Sequence, residues 1–404
     1  MTASPAQRYA DRASLGQLAA VFARLGSFSF GGPAAHTALM HDEMVRRRGW
    51  LTEQEFLDLV AATNLIPGPN STEMAIHIGY KRAGWPGLLV AGACFVAPAT
   101  LMVAGLAWAY VRFGTLPAAQ GMLQGIAPVV IAIIAQALWG LARTAVKSPW
   151  LGLLGLAAAA AVAWGVSEIA VLAAGGAVAG LTHALARRGR GPWSPGCVAL
   201  VSLPETGARL AAGSARAAGM VAVGAATAGA APLALGTLFG VFLKAGALLF
   251  GSGYVLLAFL RADLVSRLGW LTERQLLDAI AVGQMTPGPL FTTATFIGYV
   301  LGGGIGAVVA TLGIFLPAFV YVAVSAPFIP GLRRSALAGA VLDGVTVVSL
   351  ALMGLVTWQL GRASLVDPLT LAVAAIAAVL LLATRLNSAW LIVGGAIVGA
   401  IAMG

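Results

Sequence analysis

A Pro-Gly-Pro turn interrupts an apolar stretch of this chain at Pro67-Gly68-Pro69, and the same interruption returns at Pro287-Gly288-Pro289. Two prolines around a glycine cannot continue a helix, because each proline lacks an N–H donor and the glycine frees the backbone. At membrane depth, backbone groups freed in this way are tolerated only when they are buried in protein or line a cavity. A break used twice, at matching places in two halves, is the strongest sequence-level pointer to a transporter's substrate site.

The surroundings are of membrane type. Of 404 residues, 59% are hydrophobic and 9% charged, whereas soluble domains carry about 25% charged residues. Several runs exceed the roughly 20 apolar residues that cross a bilayer. The net charge of +10 lies in short arginine clusters between apolar runs, as in cytoplasmic loops, and offers no folded basic face for nucleic acid. Cys94 and Cys197 make no disulfide framework. Met1 to Ser14 is polar without a cleavable signal pattern, so insertion depends on the spans themselves. Asn70-Ser71-Thr72 matches a glycosylation sequon, but beside Pro69 it reads as chance.

The chain is a duplication. Gly49-Trp50-Leu51-Thr52-Glu53 recurs as Gly269-Trp270-Leu271-Thr272-Glu273, 220 positions later (269 less 49). That offset pairs Phe22 with Phe242, Arg24 with Lys244, Asp58 with Asp278 and the two Pro-Gly-Pro turns. One residue is then lost, and an offset of 219 pairs Gly79-Tyr80 with Gly298-Tyr299, Trp139 with Trp358 and Arg143 with Arg362. Composition bias accounts for glycine matches but not for the tryptophans, the arginines or the broken-helix motif.

The predicted architecture is an all-α polytopic membrane protein of two homologous repeats. Residues 1–14 form a polar tail, 15–186 the first repeat, 187–234 a basic connector and 235–404 the second repeat. Each repeat opens with broken or re-entrant helices, interrupted at Phe30-Gly31-Gly32-Pro33 and at Pro67-Gly68-Pro69 in the first copy. About four cleaner spans follow there, near 87–111, 121–142, 150–165 and 168–186. In the second copy Lys81-Arg82 is replaced by a Gly302-Gly303-Gly304 turn, and the lone Arg112 by Arg333-Arg334. Redistributed positive charge is what inverted halves should show. Inversion needs an odd number of crossings before the second copy, which the weakly apolar stretch Ala217 to Pro232 would supply.

Candidate site residues gather at the breaks. Arg24 and Lys244 each sit inside an apolar span, where an arginine costs about 2.5–3.5 kcal/mol on insertion scales. They are either structural ion-pair members, with Glu73 or Asp58 as the acid, or charges that attract an anion. Half-helices beginning after Pro33, Pro69 and Pro289 expose orphan N–H groups at electropositive ends, which favour an oxyanion. Ser27, Ser29, Gly31, Gly32, Ser71, Thr72, Thr292 and Thr293 lie at the same places and complete the candidate binding set. The bland alternative is that the prolines merely kink packed helices and the hydroxyls re-satisfy freed carbonyls. Glu53 and Glu273 read as helix-start caps. Asp58, Glu73 and Asp278 are the proton-coupling candidates. No metal-ligand spacing, cofactor motif or nucleophile motif is present in the sequence, so no catalytic residue, metal or cofactor is expected.

These motifs resemble those of the chromate ion transporter family in its long, two-domain form. The resemblance rests on Arg24-Leu25-Gly26, Phe30-Gly31-Gly32-Pro33, Arg47 to Trp50-Leu51, Pro67-Gly68-Pro69, Gly79-Tyr80 and Arg82-Ala83-Gly84, and covers nearly the whole chain. It implies export of chromate across the bacterial inner membrane, driven by the proton gradient and conferring chromate resistance, with sulfate as the similar oxyanion. The implied partners are the oxyanion, protons and the lipid bilayer; a homodimer stays open. The second copy departs from the pattern, with Gly251-Ser252-Gly253 in place of Gly31-Gly32-Pro33 and Lys244 in place of Arg24. Lysine cannot grip an oxyanion bidentately as arginine can, which places the expected site nearer the first copy. A passive anion channel, a sulfate importer of the same build and a membrane enzyme are the rival readings.

Overall fold

The structure, a computed structural model, describes residues 13–29, 32–63, 66–114, 116–188, 233–249, 256–325, 336–384 and 388–402. Every regular element among them is helical. In the first repeat these are α1 (Leu15–Phe28), α2 (Gly32–His41), α3 (Glu53–Thr63), α4 (Asn70–Phe113), α5 (Pro117–Ala145), α6 (Pro149–Ala163) and α7 (Glu168–Arg188). The second repeat supplies α8 (Leu235–Leu248), α9 (Leu256–Leu260), α10 (Glu273–Met285), α11 (Thr293–Ser325), α12 (Ala336–Ser364), α13 (Pro368–Ala383) and α14 (Ser388–Ala402). Helices α4, α5, α7 and α12, and the run Leu290–Ser325 containing α11, are long and apolar enough to cross a membrane. Outward leucines and isoleucines such as Leu101, Leu156 and Ile401 are exposed, as lipid-facing side chains are. The predicted crossing over Ala217 to Pro232 lies outside the described residues.

Local chemistry sets the helix ends. Ser14 caps α1 in a reciprocal box with Gln17, and Asp367 caps α13 ahead of Pro368 at its first turn. Thr272 and Gln275 make the same box on α10. The caps on α3 and α10 correct the expectation for Glu53 and Glu273. Thr52 caps α3 with Glu55 as its partner, while Glu53 bonds His41 at 2.8 Å and Glu273 bonds Arg261 at 2.6 Å. The boxed residue is the third of the helix, and Glu53 is the first.

Each long helix is two helices joined by a reversal. At Ala83-Gly84 and Gly302-Gly303 the dihedrals leave the helical region, with φ of 64° at Gly84 and 61° at Gly303. Only glycine adopts such a conformation without strain. Residues eight apart in a straight helix stand about 12 Å apart. Here a Cβ on Gly79 would collide with the carbonyl of Gly87, and one on Gly298 with that of Gly306. The short arms 70–82 and 293–301 therefore fold back on the long arms that follow. This reversal brings Arg82 beside Arg48, both over the ring of Trp50, so the two basic clusters share one end of the molecule.

Corresponding helices of the two repeats run antiparallel where they touch. A Cβ at Gly354 of α12 would lie 3.9 Å from Leu138 of α5, and one at Gly361 would lie 3.9 Å from Ile131. Moving forward along α12 thus means moving backward along α5. The flanking contacts repeat the relation: Gly125 of α5 packs on Gly395 and Gly399 of α14, and Gly344 of α12 packs on Gly175 and Ala179 of α7. Small residues let these backbones approach closely, which is how apolar helices associate without a hydrophobic drive. An axis that reverses a span lies perpendicular to it, in the plane of the membrane. The repeats are inverted.

This geometry has a direct check. In a background lacking Cys94 and Cys197, a short thiol cross-linker is expected to join Leu138→Cys to Gly354→Cys and Ile131→Cys to Gly361→Cys. Cross-linking of Leu138→Cys to Gly361→Cys instead would overturn the antiparallel packing.

Candidate functional site

The two Pro-Gly-Pro turns are joined to the opposite repeat by their own backbone. Gly68 donates its N–H to the carbonyl of Leu249 at 2.6 Å, and Gly288 donates to the carbonyl of Ser29 at 2.9 Å. Ser29 and Leu249 are the residues that close α1 and α8, and they occupy the same place in the two copies. Each broken helix thus receives its missing partner from the other half. Positive φ values of 139° at Gly68 and 98° at Gly288 make glycine obligatory in both turns. The turns pack on the long arms reciprocally as well, Gly68 toward Ala318 and Gly288 toward Ala99. Pro69, Pro287 and Pro289 are buried with them, and Pro67 is half-buried.

These bonds revise the expected role of the turns. The glycine N–H groups complete the backbone across the repeats, so they are not open donors for an anion. Thr72 and Glu73 likewise donate their N–H groups to Pro69, and Thr292 donates to Pro289. The hydroxyls divide. Ser27 bonds Ala23, Thr292 bonds Pro289 and Thr293 bonds Leu290, all at 2.8 Å, in the self-satisfying manner of the bland reading. Ser29 and Thr72 keep buried hydroxyls with no protein partner among the described residues, and Ser71 is buried beside them. Gly32 opens α2, and Gly31 lies outside the described residues.

Arg24 and Lys244 both have acid partners, but neither is Glu73 or Asp58. Arg24 pairs with Glu43 at 2.5 Å, and Lys244 pairs with Asp263. Both acids are buried and both lie on a π-helical turn, Asp42–Arg47 or Arg261–Arg267, that continues α2 or α9. Such turns cluster at functional sites. Glu43 also accepts from Arg48 at 2.7 Å, Asp42 pairs with Arg47 at 2.7 Å, and Asp263 pairs with Arg267 at 3.0 Å. Arg24, Arg47 and Arg48 thus face Asp42 and Glu43, and Lys244 with Arg267 faces Asp263. Each cluster keeps one positive charge in excess. A cavity of about 280 Å³ lies beside the first cluster, lined by Arg24, Phe28, Ser29, Asp42, Glu43 and Arg47.

The three carboxyl candidates occupy three different environments. Asp58 is only partly buried and accepts from Gln54 at 2.8 Å. Its counterpart Asp278 is buried and accepts from the hydroxyl of Tyr110 in the other repeat, also at 2.8 Å. Glu73 is fully buried, with neither oxygen bonded to a protein donor among the described residues. It packs against Gly68 in the first turn.

Sequence reasoning missed Glu43, Asp263 and Tyr110. The first two were within reach, because they match at the offset of 220 that aligns Arg24 with Lys244. Tyr110 left no such signal, since it acts across the repeats and Ile329 stands at the matching place.

A model of chromate transporters matches residues 16–181 and again 236–400. This chain belongs to the chromate transporter family. Among its relatives is a chromate transport protein of Cupriavidus metallidurans, 33% identical over 99% of this chain and 96% of that protein. A chromate transport protein of Pseudomonas aeruginosa is 33% identical over 86% of this chain and 81% of its own length. A probable chromate transport protein of Synechococcus elongatus is 31% identical over 88% and 86%. No solved structure matches. The family match and the long apolar helices together make this a membrane-embedded transporter.

The charge clusters yield a stability ranking. Glu43→Gln leaves Arg24 and Arg48 facing each other without their shared acid, while Arg24→Gln leaves Glu43 still bonded to Arg48. Thermal unfolding in detergent is expected to show the Glu43 variant less stable by about 1–2 kcal/mol. The opposite order would contradict the assignment of Glu43 as the hub.

Proposed function

We propose that this protein exports chromate across the bacterial inner membrane, using the electrochemical proton gradient, and thereby confers chromate resistance. The observation that carries the reading is the Arg24 cluster with its one positive charge in excess, beside a cavity also lined by Ser29, which accepts the crossing bond from Gly288, in a chain of this family. Chromate is a tetrahedral dianion. It would be drawn to the arginines at the cavity mouth and pass inward to the buried hydroxyls of Ser29 and Thr72, near the half-helix that starts at Asn70. Arginine presents paired N–H groups that match two oxygens of such an ion. Lys244 and its cluster would serve the same end from the opposite face of the membrane.

Rocking of one inverted repeat against the other would expose the site alternately. The bonds Gly68–Leu249 and Gly288–Ser29 join the halves, so they are the contacts that such a motion would exchange. Sulfate has the same shape and charge. Only a few hydrogen bonds can therefore discriminate the two ions.

Reconstituted vesicles test this reading. Chromate flux against its concentration gradient is expected to depend on an imposed proton electrochemical gradient and to collapse with an uncoupler, and chromate flux is expected to exceed sulfate flux. Flux that never runs against the chromate gradient, whatever pH difference is imposed at clamped potential, would identify a passive pore instead, and faster inward sulfate flux would identify an importer. Arg24→Ala is expected to insert normally yet lose at least about tenfold in transport, equivalent to about 1.4 kcal/mol of lost interaction. Undiminished transport by that variant would remove Arg24 from the path.

A further inference from the structure

Among the described residues, Glu73 is the buried acidic group that the fold leaves unexplained. It sits on the first turn of the half-helix that follows Pro69, fully buried, with no protein donor to either oxygen among the described residues. Its carboxyl lies against Gly68, whose N–H is bonded to Leu249. The neighbouring Thr72 hydroxyl is also buried, without a partner among the described residues. The second copy carries Thr292 and Thr293 at the corresponding place, so the acid belongs to one half only.

The titratable groups around it are few. His77 lies one turn further along the same helix, buried, with Nε2 unpartnered among the described residues. Tyr321, on the long arm of α11, is within electrostatic reach and donates its hydroxyl to Ala247 at 3.0 Å. No basic side chain is ion-paired with Glu73 among the described residues. An ionised carboxyl buried without a counter-charge or a donor is far too costly, so a group placed like this holds a proton while the site is closed.

An electropositive helix start next to an acid has a definite consequence. The ionised acid and a dianion are both attracted to the same end of the helix, and they repel each other strongly at such short range. The acid with its proton carries no charge and leaves the end free. Taking the oxyanion reading above as its basis, we propose that Glu73 is the proton-linked group of the first turn: an oxyanion enters beside Gly68 only when Glu73 is protonated. Linkage is reciprocal, so oxyanion binding raises the hold on that proton by the same factor. The dianion and the proton would then cross together, as a loaded site with one net negative charge. Such a site is driven outward by the inside-negative potential, whereas the pH difference opposes it. The electrical part of the proton gradient would do the work.

The test is oxyanion affinity against pH for the purified protein and Glu73→Gln, with chromate and sulfate as probes. The ratio of the two affinities at each pH cancels any protonation of the ligand itself. Once Glu73 ionises, the wild type is expected to lose affinity by about tenfold per pH unit relative to the variant, the slope for one linked proton. A flat ratio overturns the proposal. So does a folded variant that binds neither ion at any pH, because the neutral amide stands in for the protonated acid. If the variant does not fold, titration calorimetry of the wild type in buffers of different ionisation enthalpy decides. Uptake of about one proton per oxyanion at alkaline pH is expected, and binding without proton uptake overturns the proposal. A wild type that binds no oxyanion at any pH would instead sink the substrate reading on which it rests.

Discussion

A backbone interrupted inside a membrane protein must find substitutes for the hydrogen bonds it has lost, and the crossing bonds from Gly68 to Leu249 and from Gly288 to Ser29 are where this chain finds them. The hydrocarbon core of a bilayer offers no water in exchange, and an unsatisfied amide there costs several kcal/mol. The breaks therefore cannot lie apart. Each must be brought to the end of the opposite repeat's first helix, and that requirement dictates how the half-helices and the reversals at Gly84 and Gly303 are laid out. The close glycine contacts, Gly26 on Phe95 and Gly246 on Ile314, press the first helix of each repeat onto its long arm and hold the acceptor carbonyls in place.

Much of this was legible in the residues. Paired tryptophans, the twin Pro-Gly-Pro turns and Gly302-Gly303-Gly304 identified the duplication, the breaks and the reversal, because each depends on local backbone chemistry. The redistribution of Lys81-Arg82 and Arg112 pointed to inversion, and the antiparallel passage of α5 along α12 agrees with it. What the sequence left hidden was relational. For an ion pair with Arg24 the sequence offered Glu73 or Asp58, yet its partner Glu43 is delivered by a π-helical turn that carries no residue signature. The hydroxyls of Ser27, Thr292 and Thr293 share composition with those of Ser29 and Thr72, and only helix geometry decides which of them turn back onto their own carbonyls.

The two halves have kept one skeleton while their polar groups have diverged. Asp278 is locked by Tyr110 from the other repeat, whereas Asp58 keeps company with Gln54 near the surface. Arg24, Arg47 and Arg48 surround Glu43, but Leu268 stands where a third basic residue would complete the Asp263 cluster. Symmetry is therefore a property of the backbone and its packing glycines. Chemical direction is written in the side chains.

The crossing amides also bear on how the protein is made. Gly68 leaves the ribosome 181 residues (249 less 68) before Leu249, the residue that accepts its hydrogen. At common elongation rates that interval is on the order of ten seconds. The first repeat must wait through it with a donor exposed to lipid or sheltered by the insertion machinery. The nascent first half is thus incomplete by construction, and closure of its backbone is a late event that belongs to the arrival of its twin.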